Sequence, residues 1–149
     1  MGDFMRYRNP IPVVDAIIEK ESKLVLINRA IEPYKGKLAF PGGHVDYGET
    51  VEDATAREVK EETSLDVRLS DILGVYSEPG RDPREHRMTI VFVAEIIGGS
   101  LKAGSDAGFA GFYDMRKLNK DDLAFDHFKI IEDYLKYKKH KGTYWSTRR

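Results

Sequence analysis

The chain contains no cysteine. It can build neither a disulfide framework nor a thiolate site, which fits a reducing compartment. No apolar run approaches the length of a membrane-spanning helix. The opening MGDFMRYRNP has no apolar core behind its basic residues, so no signal peptide is expected. A cytoplasmic protein without a membrane partner is the expectation. A surplus of one charge is missing too. The formal net charge is −1, so no global field draws the chain to nucleic acid or to an anionic surface. The basic tail KYKKHKGTYWSTRR lacks interleaved aromatic and base-reading groups, and reads as a solvated helix end rather than a nucleic-acid site. Any function that depends on charge must come from local clustering.

What is present suits a globular protein. The 149 residues are 41% hydrophobic and 33% charged, which predicts one domain spanning 1–149. Such a chain can bury roughly 70% of its unfolded surface. PVVDAIIE and KLVLINRA, split by KES, read as two strands joined by a tight turn. EPYKGK is a loop, LAF a short strand and GGHVDYGE a Gly-rich loop. Thr50, with Asp53 three residues on, marks a helix start, and the helix should run to about Ser64. VRLSDILGVYSE is a strand with a possible bend at Gly74, PGRDPREH a polar loop, and RMTIVFVAEII the strongest strand signal. FAGFYDM closes the strand set. Asp126 is the expected N-cap of a second helix, with Phe128, Ile131 and Leu135 on its apolar stripe and lysines in its last turn. His127, next to this cap, reads as helix-start packing. Tyr7, Tyr34 and Phe109 could stack on a base, but lone aromatics more often serve packing. The pattern is α/β or α+β, with helices covering a mostly central sheet.

The segment REVKEE at 57–62 carries the chemistry. On a helix, Glu58, Glu61 and Glu62 fall within one arc of about 100°. Val59, Ala56 and Thr63 lie on the other side, facing the sheet. Like charges three and four apart destabilise a helix. Arg57 can pair with Glu61 four residues on, but one arginine cannot neutralise three carboxylates. A divalent cation can, and hard oxygen ligands suit Mg²⁺ or Mn²⁺. The preceding loop FPGGHVDYGE can bring backbone carbonyls and Glu49 beside this face, because its glycines permit close approach. KEE alone would be an ordinary solvated face. The whole spacing is different: Gly43, Glu49, Arg57-Glu58, Glu61-Glu62. Six such fixed positions coincide by chance with a probability on the order of 10⁻⁵.

The segment GHVDYGETVEDATAREVKEETSL resembles the signature box of the Nudix hydrolases. That resemblance implies an α/β/α sandwich around a mixed sheet. It also implies metal-dependent cleavage of a nucleoside diphosphate linked to another moiety. By position, Glu58 and Glu62 become metal ligands and Glu61 a ligand or water-positioner. Arg57 becomes the residue that orients Glu61, and Gly42 a backbone ligand. Glu49 falls in or beside the metal's coordination. One box position departs from the family. Ser64 stands where glycine serves a left-handed helix end, so a small stability effect is expected there.

Substrate choice lies outside the box. SEPGRDPREH carries Pro79, Arg81, Arg84 and His86, and guanidinium groups bind phosphate well. Arg29, at the end of the second strand, joins them as a substrate-binding candidate. The loop, with YRNPIPVVDAIIE, LKAGSDA and LAFDH, resembles the ADP-ribose pyrophosphatase subgroup. This implies hydrolysis of ADP-ribose to AMP and ribose 5-phosphate, and a homodimer. Oxidised nucleoside triphosphates or dinucleoside polyphosphates are the alternative substrates. A sensor that binds an ADP-ribose-like ligand without turnover is the alternative of another class. Phe109 argues for the sensor, because it stands where members of this group often place a glutamate base. Asp106, Glu85, His86 and Glu61 are the candidates to replace it.

Overall fold

The structure is a computed structural model that describes residues 7–102 and 107–149, without the side chains of 107 and 108. Eight strands and two α-helices follow in the order β1 (Ile11–Lys20), β2 (Lys23–Arg29), β3 (Leu38–Ala39), β4 (Gly42–His44), α1 (Val51–Thr63), β5 (Leu65–Tyr76), β6 (Arg87–Gly99), β7 (Ala107–Asp114), α2 (His127–His140) and β8 (Tyr144–Trp145). The sheet path runs β3-β2-β1-β6-β5-β8, with β4 paired to β1 and β7 to β2. β1–β6 and β5–β8 are parallel, and the other pairs are antiparallel. The sheet is therefore mixed.

Strand alternation splits β1 between two cores. Ala16 and Ile18 pack with Val25, Leu65, Ala94 and Val59 of α1. Ile17 turns the other way, to Leu24, Leu26, Tyr76 and Val91, and to Ile130, Ile131 and Tyr134 of α2. One helix on each face gives the α/β/α sandwich. Full burial of a side chain such as Ile17 or Val59 contributes roughly 1.5–3 kcal/mol.

The helix α1 starts as its sequence requires. The Thr50 hydroxyl accepts from the Asp53 amide at 3.0 Å, a cap worth about 1 kcal/mol. Ser64 ends the helix in the left-handed region, at φ 65° and ψ 8°, where its amide donates to the Lys60 carbonyl. The serine adopts the conformation a glycine would favour, at a modest cost in backbone strain. The helix α2 differs from expectation. Its buried residues are His127, Ile130, Ile131, Asp133, Tyr134 and Tyr137. Leu135 points outward and is 41% exposed. Asp126 makes no side-chain cap, because its carboxylate is held by Arg81. Among the described residues, no helix is long and apolar enough to cross a membrane.

Candidate active site

Three segments converge on one cleft: β4 with its following turn, the outward face of α1, and the loop of residues 77–86. A cleft of about 770 Å³ is bounded by Glu58, Glu61 and Glu62, by Gly42, Gly43 and His44, and by Arg29, Arg84 and Arg87. Glycine is required where β4 meets α1. A Cβ on Gly43 would lie 2.5 Å from the Glu58 carboxyl carbon.

Arg57 is the hub, but its main partner is not the expected one. Its Nε donates to Glu49 Oε2 at 2.8 Å and its second terminal nitrogen to Glu49 Oε1 at 3.0 Å. The other terminal nitrogen donates to Glu58 at 2.9 Å and reaches Glu61 only at 3.3 Å. The guanidinium fork closes on the more sheltered carboxylate and not on the rim one: the Glu49 side chain is 16% exposed and that of Glu61 57%. The Arg57 bonds, and then the Asp46 amide, hold the Glu49 carboxyl down at about 2. Both Glu49 oxygens are thus engaged, and Glu49 anchors Arg57.

Glu62 and Glu58 are shifted toward neutrality. Burial pushes Glu62 up to about 8, and repulsion from Glu58, Asp15 and Glu61 adds to it. Its one strong relief is the Gly42 amide, which donates to Oε1 at 2.7 Å. Burial also raises Glu58, against the opposing pull of Arg57. Among the described residues, no three acidic or imidazole side chains already converge as a metal cage. Arg57 and the Gly42 amide occupy those oxygens instead. The donor chemistry nevertheless fits a hard divalent cation. All donors are oxygens on one helix face, and a cation would relieve the repulsion that lifts Glu62 and Glu58.

The loop candidates separate. Arg84 faces the cleft and is paired with Asp82 through bonds of 3.1 and 2.8 Å. Arg29 also faces the cleft, with its Nε on the Pro33 carbonyl at 2.7 Å. Arg81 corrects the sequence expectation: its side chain is 3% exposed and forks onto Asp126 at 2.9 and 2.7 Å. It ties the loop to the start of α2 instead of offering itself to phosphate. His86 turns away, with Nε2 on the Ser77 carbonyl at 2.8 Å. Pro79 is exposed and does not border the cleft. Glu85 holds Arg87 at 3.0 Å. Asp106 lies outside the described residues. Phe109, on β7, pairs with Asn28 of β2 and is 58% exposed.

Sequence reasoning missed a buried polar group under this cleft. Asp15 sits on β1 beside Gly42. The Thr89 hydroxyl donates to its Oδ2 at 2.6 Å. The Phe40 amide donates to His127 Nδ1 at 3.2 Å, so the ring proton belongs on Nε2, which faces Asp15 Oδ2 at 3.8 Å. Burial raises Asp15 to about 7 and lowers His127 to about 3. The signal was a lone aspartate inside an apolar strand, VVDAII. Arg87, at the start of β6, and Phe125 were missed as well. Arg29 lies over the Phe125 ring at 4.9 Å and Arg84 at 5.7 Å.

The α/β/α sandwich thus presents clustered carboxylates and arginines across one cleft. The NUDIX domain model matches residues 9–134, and the chain belongs to the Nudix family. It is 53% identical over 139 residues to the ADP-ribose pyrophosphatase of Methanocaldococcus jannaschii, covering 91% of this chain and 81% of that protein. It is 28% identical over 125 residues to putative nudix hydrolase 1 of Caenorhabditis elegans, covering 80% of this chain but 33% of that longer protein. The structure superimposes on the crystal structure of a NUDIX hydrolase from Nitrosomonas europaea with a TM-score of 0.79 and 27% identity, covering 94% of this chain and 78% of that one.

Proposed function

We propose that the protein hydrolyses ADP-ribose to AMP and ribose 5-phosphate, with Mg²⁺ or Mn²⁺ held by Glu58, Glu61 and Glu62. One observation carries this reading. Glu58 and Glu62, half-buried on one helix face beside a cleft lined by arginines, are both raised toward neutrality by burial. A resident cation is the simplest relief for that arrangement. The similarity to an archaeal ADP-ribose pyrophosphatase over most of both chains supports the substrate.

The residues divide the work. Glu62 and Glu58 offer the inner oxygens, and Gly42, whose amide bonds Glu62, lines the same cleft from β4. Arg57, anchored by Glu49, fixes Glu58 and restrains Glu61. Glu61 is the most exposed of the three carboxylates, which supports it as the acceptor of a proton from the attacking water. Asp106 is a second candidate for that proton. Arg84 and Arg29 neutralise the diphosphate from across the cleft. A bound divalent ion supplies Lewis-acid polarisation of the phosphate and a lowered water pKa. The reading includes a cytoplasmic homodimer in which residues 1–149 act as one domain, checked by light scattering on the eluted protein.

The deciding experiment offers ADP-ribose, an oxidised nucleoside triphosphate and a dinucleoside polyphosphate at equal concentration with Mg²⁺. AMP from ADP-ribose at the highest kcat/KM is the expected result. Preference for another nucleotide would overturn the substrate, and tight ADP-ribose binding without product would mark a sensor. Glu62→Gln is expected to abolish turnover with little change in Tm. A fully active variant would sink the metal assignment.

A further inference from the structure

The far end of α2 borders a second cavity, of about 350 Å³, that shares no lining residue with the cleft. Its wall carries Lys136, His140 and Lys141 from the end of α2, and Arg148 and Arg149 from the tail after β8. Asp133 is the carboxylate on that wall. It is already engaged: Lys129 donates to it at 2.9 Å and the Tyr76 hydroxyl at 2.8 Å, while Lys136 stands off at 3.9 Å. Among the described residues, Lys141, Arg148 and Arg149 make no ion pair. Basic residues at a helix end ordinarily answer the helix dipole, but the magnitudes do not match here. The carbonyl end of a helix carries about half a negative charge, against the four full positive charges of Lys136, Lys141, Arg148 and Arg149. The chain as a whole stands at −1, so this surplus is local.

The cations are also held in place. Tyr144 is buried in the core, and its hydroxyl donates to the Lys141 carbonyl at 2.8 Å. Arg148 lies over the Tyr144 ring at 4.4 Å and the Trp145 ring at 5.3 Å, and donates to the Thr143 carbonyl. Arg149 donates to the Ser146 carbonyl at 3.3 Å. The Lys141 ammonium lies 4.7 Å from the centre of the Tyr137 ring. Gly142 makes the turn from helix to tail at φ +99°, and a Cβ there would meet Arg148 Nη1 at 3.4 Å. A guanidinium stacked by its face keeps edge donors for an anion.

We propose that this cavity is a binding site for a diphosphate-bearing anion, separate from the cleft, with Lys136, Lys141, Arg148 and Arg149 as its cations. Charge selects the ligand class. A phosphate monoester carries about −1.5 to −2, so one phosphoryl group leaves half of the surplus in place and two linked groups match it. Inorganic diphosphate and a nucleoside diphosphate share that chemistry. A closed pocket of this volume suits a small molecule.

The test is a fluorescence titration of the chelator-treated full chain at low ionic strength. Trp145 is the chain's only tryptophan, and its ring lies under Arg148, so its emission reports on this site. Inorganic diphosphate, ADP, orthophosphate and a short single-stranded oligonucleotide are compared. Diphosphate and ADP should each give a saturable change, the tighter of the two naming the source, and orthophosphate should bind about ten-fold more weakly. Lys141→Gln and Arg149→Gln should each weaken diphosphate by about ten-fold, as expected for loss of a charge-assisted bond. Both residues are exposed, so neither variant should lose the fold. Arg84→Met, in the cleft, should leave the Trp145 response unchanged. No saturable response in the wild type, or an undiminished one in both tail variants, overturns the site. A response lost in Arg84→Met places the anion in the cleft and overturns it too. Orthophosphate as tight as diphosphate overturns the match to two phosphoryl groups, and an oligonucleotide tighter than diphosphate and ADP overturns the ligand class.

Discussion

Gly43 and Glu58 are in contact that only glycine allows: a Cβ on Gly43 would meet the Glu58 carboxyl carbon at 2.5 Å and its oxygens at 2.6 and 2.7 Å. Gly43→Ala must therefore push the Glu58 carboxylate aside or shift β4. Displacement of a reacting group by about 1 Å costs on the order of 10²-fold in rate. A loss of kcat/KM of that size is expected. The Tm should move little, because the site is at the open edge of the core. Initial rates and thermal melts on the same preparation check both halves. Wild-type rates in Gly43→Ala would show that Glu58 does not need its present place.

Arg57→Lys tests the hub. Lysine keeps the charge but cannot fork onto Glu49 while also holding Glu58. The expected outcome is a fall in kcat of about ten-fold or more, with no recovery at higher substrate. Glu49→Gln should share much of that loss, since both act through one arrangement. A double variant no worse than the worse single one is the signature in a rate-based cycle. Additive losses would mean that Glu49 has a separate role.

The box was legible because its geometry is local. Gly43, Glu49, Arg57 and the three glutamates lie on one turn and one helix, so spacing alone places them together. Thr50 and Ser64 were legible for the same reason. Arg57's preference for Glu49 over Glu61 was not, because it depends on which carboxylate is more buried. Arg81 and Arg84 are three residues apart in one loop. One became a buried strut on Asp126 and the other a cleft residue, a choice made by α2, some 45 residues further on. Leu135 follows the helical period yet points outward, because β5 and β1 meet α2 through its tyrosines. Asp15 meets Thr89, and Arg87 reaches the cleft, only through the parallel pairing of β1 with β6, which no local pattern reports.

Asp15 sets an opposing pH dependence of stability. Its folded pKa is raised to about 7 from the ordinary 3.8 of an aspartate. Between those values the folded state holds a proton that the unfolded state has lost, so stability falls as pH rises through this window. His127 acts the other way. Lowered to about 3 from 6.5, it stays neutral when the unfolded ring is charged, so stability falls as pH drops below 6.5. The two partly cancel in the wild type. Asp15→Asn removes only the first. Chelator-treated Asp15→Asn should therefore gain in Tm relative to wild type as pH is raised from 4 to 8. A difference in Tm that is flat across that range would refute the assignment of a protonated Asp15.

Gly74 and Tyr144 provide the last test, away from the cleft. β8 pairs with β5 at Gly74, and a Cβ there would lie 1.8 Å from the Tyr144 carbonyl oxygen. The same tail accepts the Ser77 and Glu78 amides on the Ser146 hydroxyl at 2.9 and 3.1 Å, so β8 also steadies the start of the arginine loop. Alanine is otherwise no worse than glycine inside a strand. Any loss in Gly74→Ala therefore measures the clash with β8. Overpacking costs about 1–3 kcal/mol, which corresponds to a fall of roughly 3–10 °C in Tm for a domain of this size. In a chain cut before Thr143 the clash has no partner, and Gly74→Ala should cost nothing further. The non-additivity of the two changes is the measurement. Equal losses in the full and the shortened chain would show that Gly74 is required by β5 itself and not by the tail.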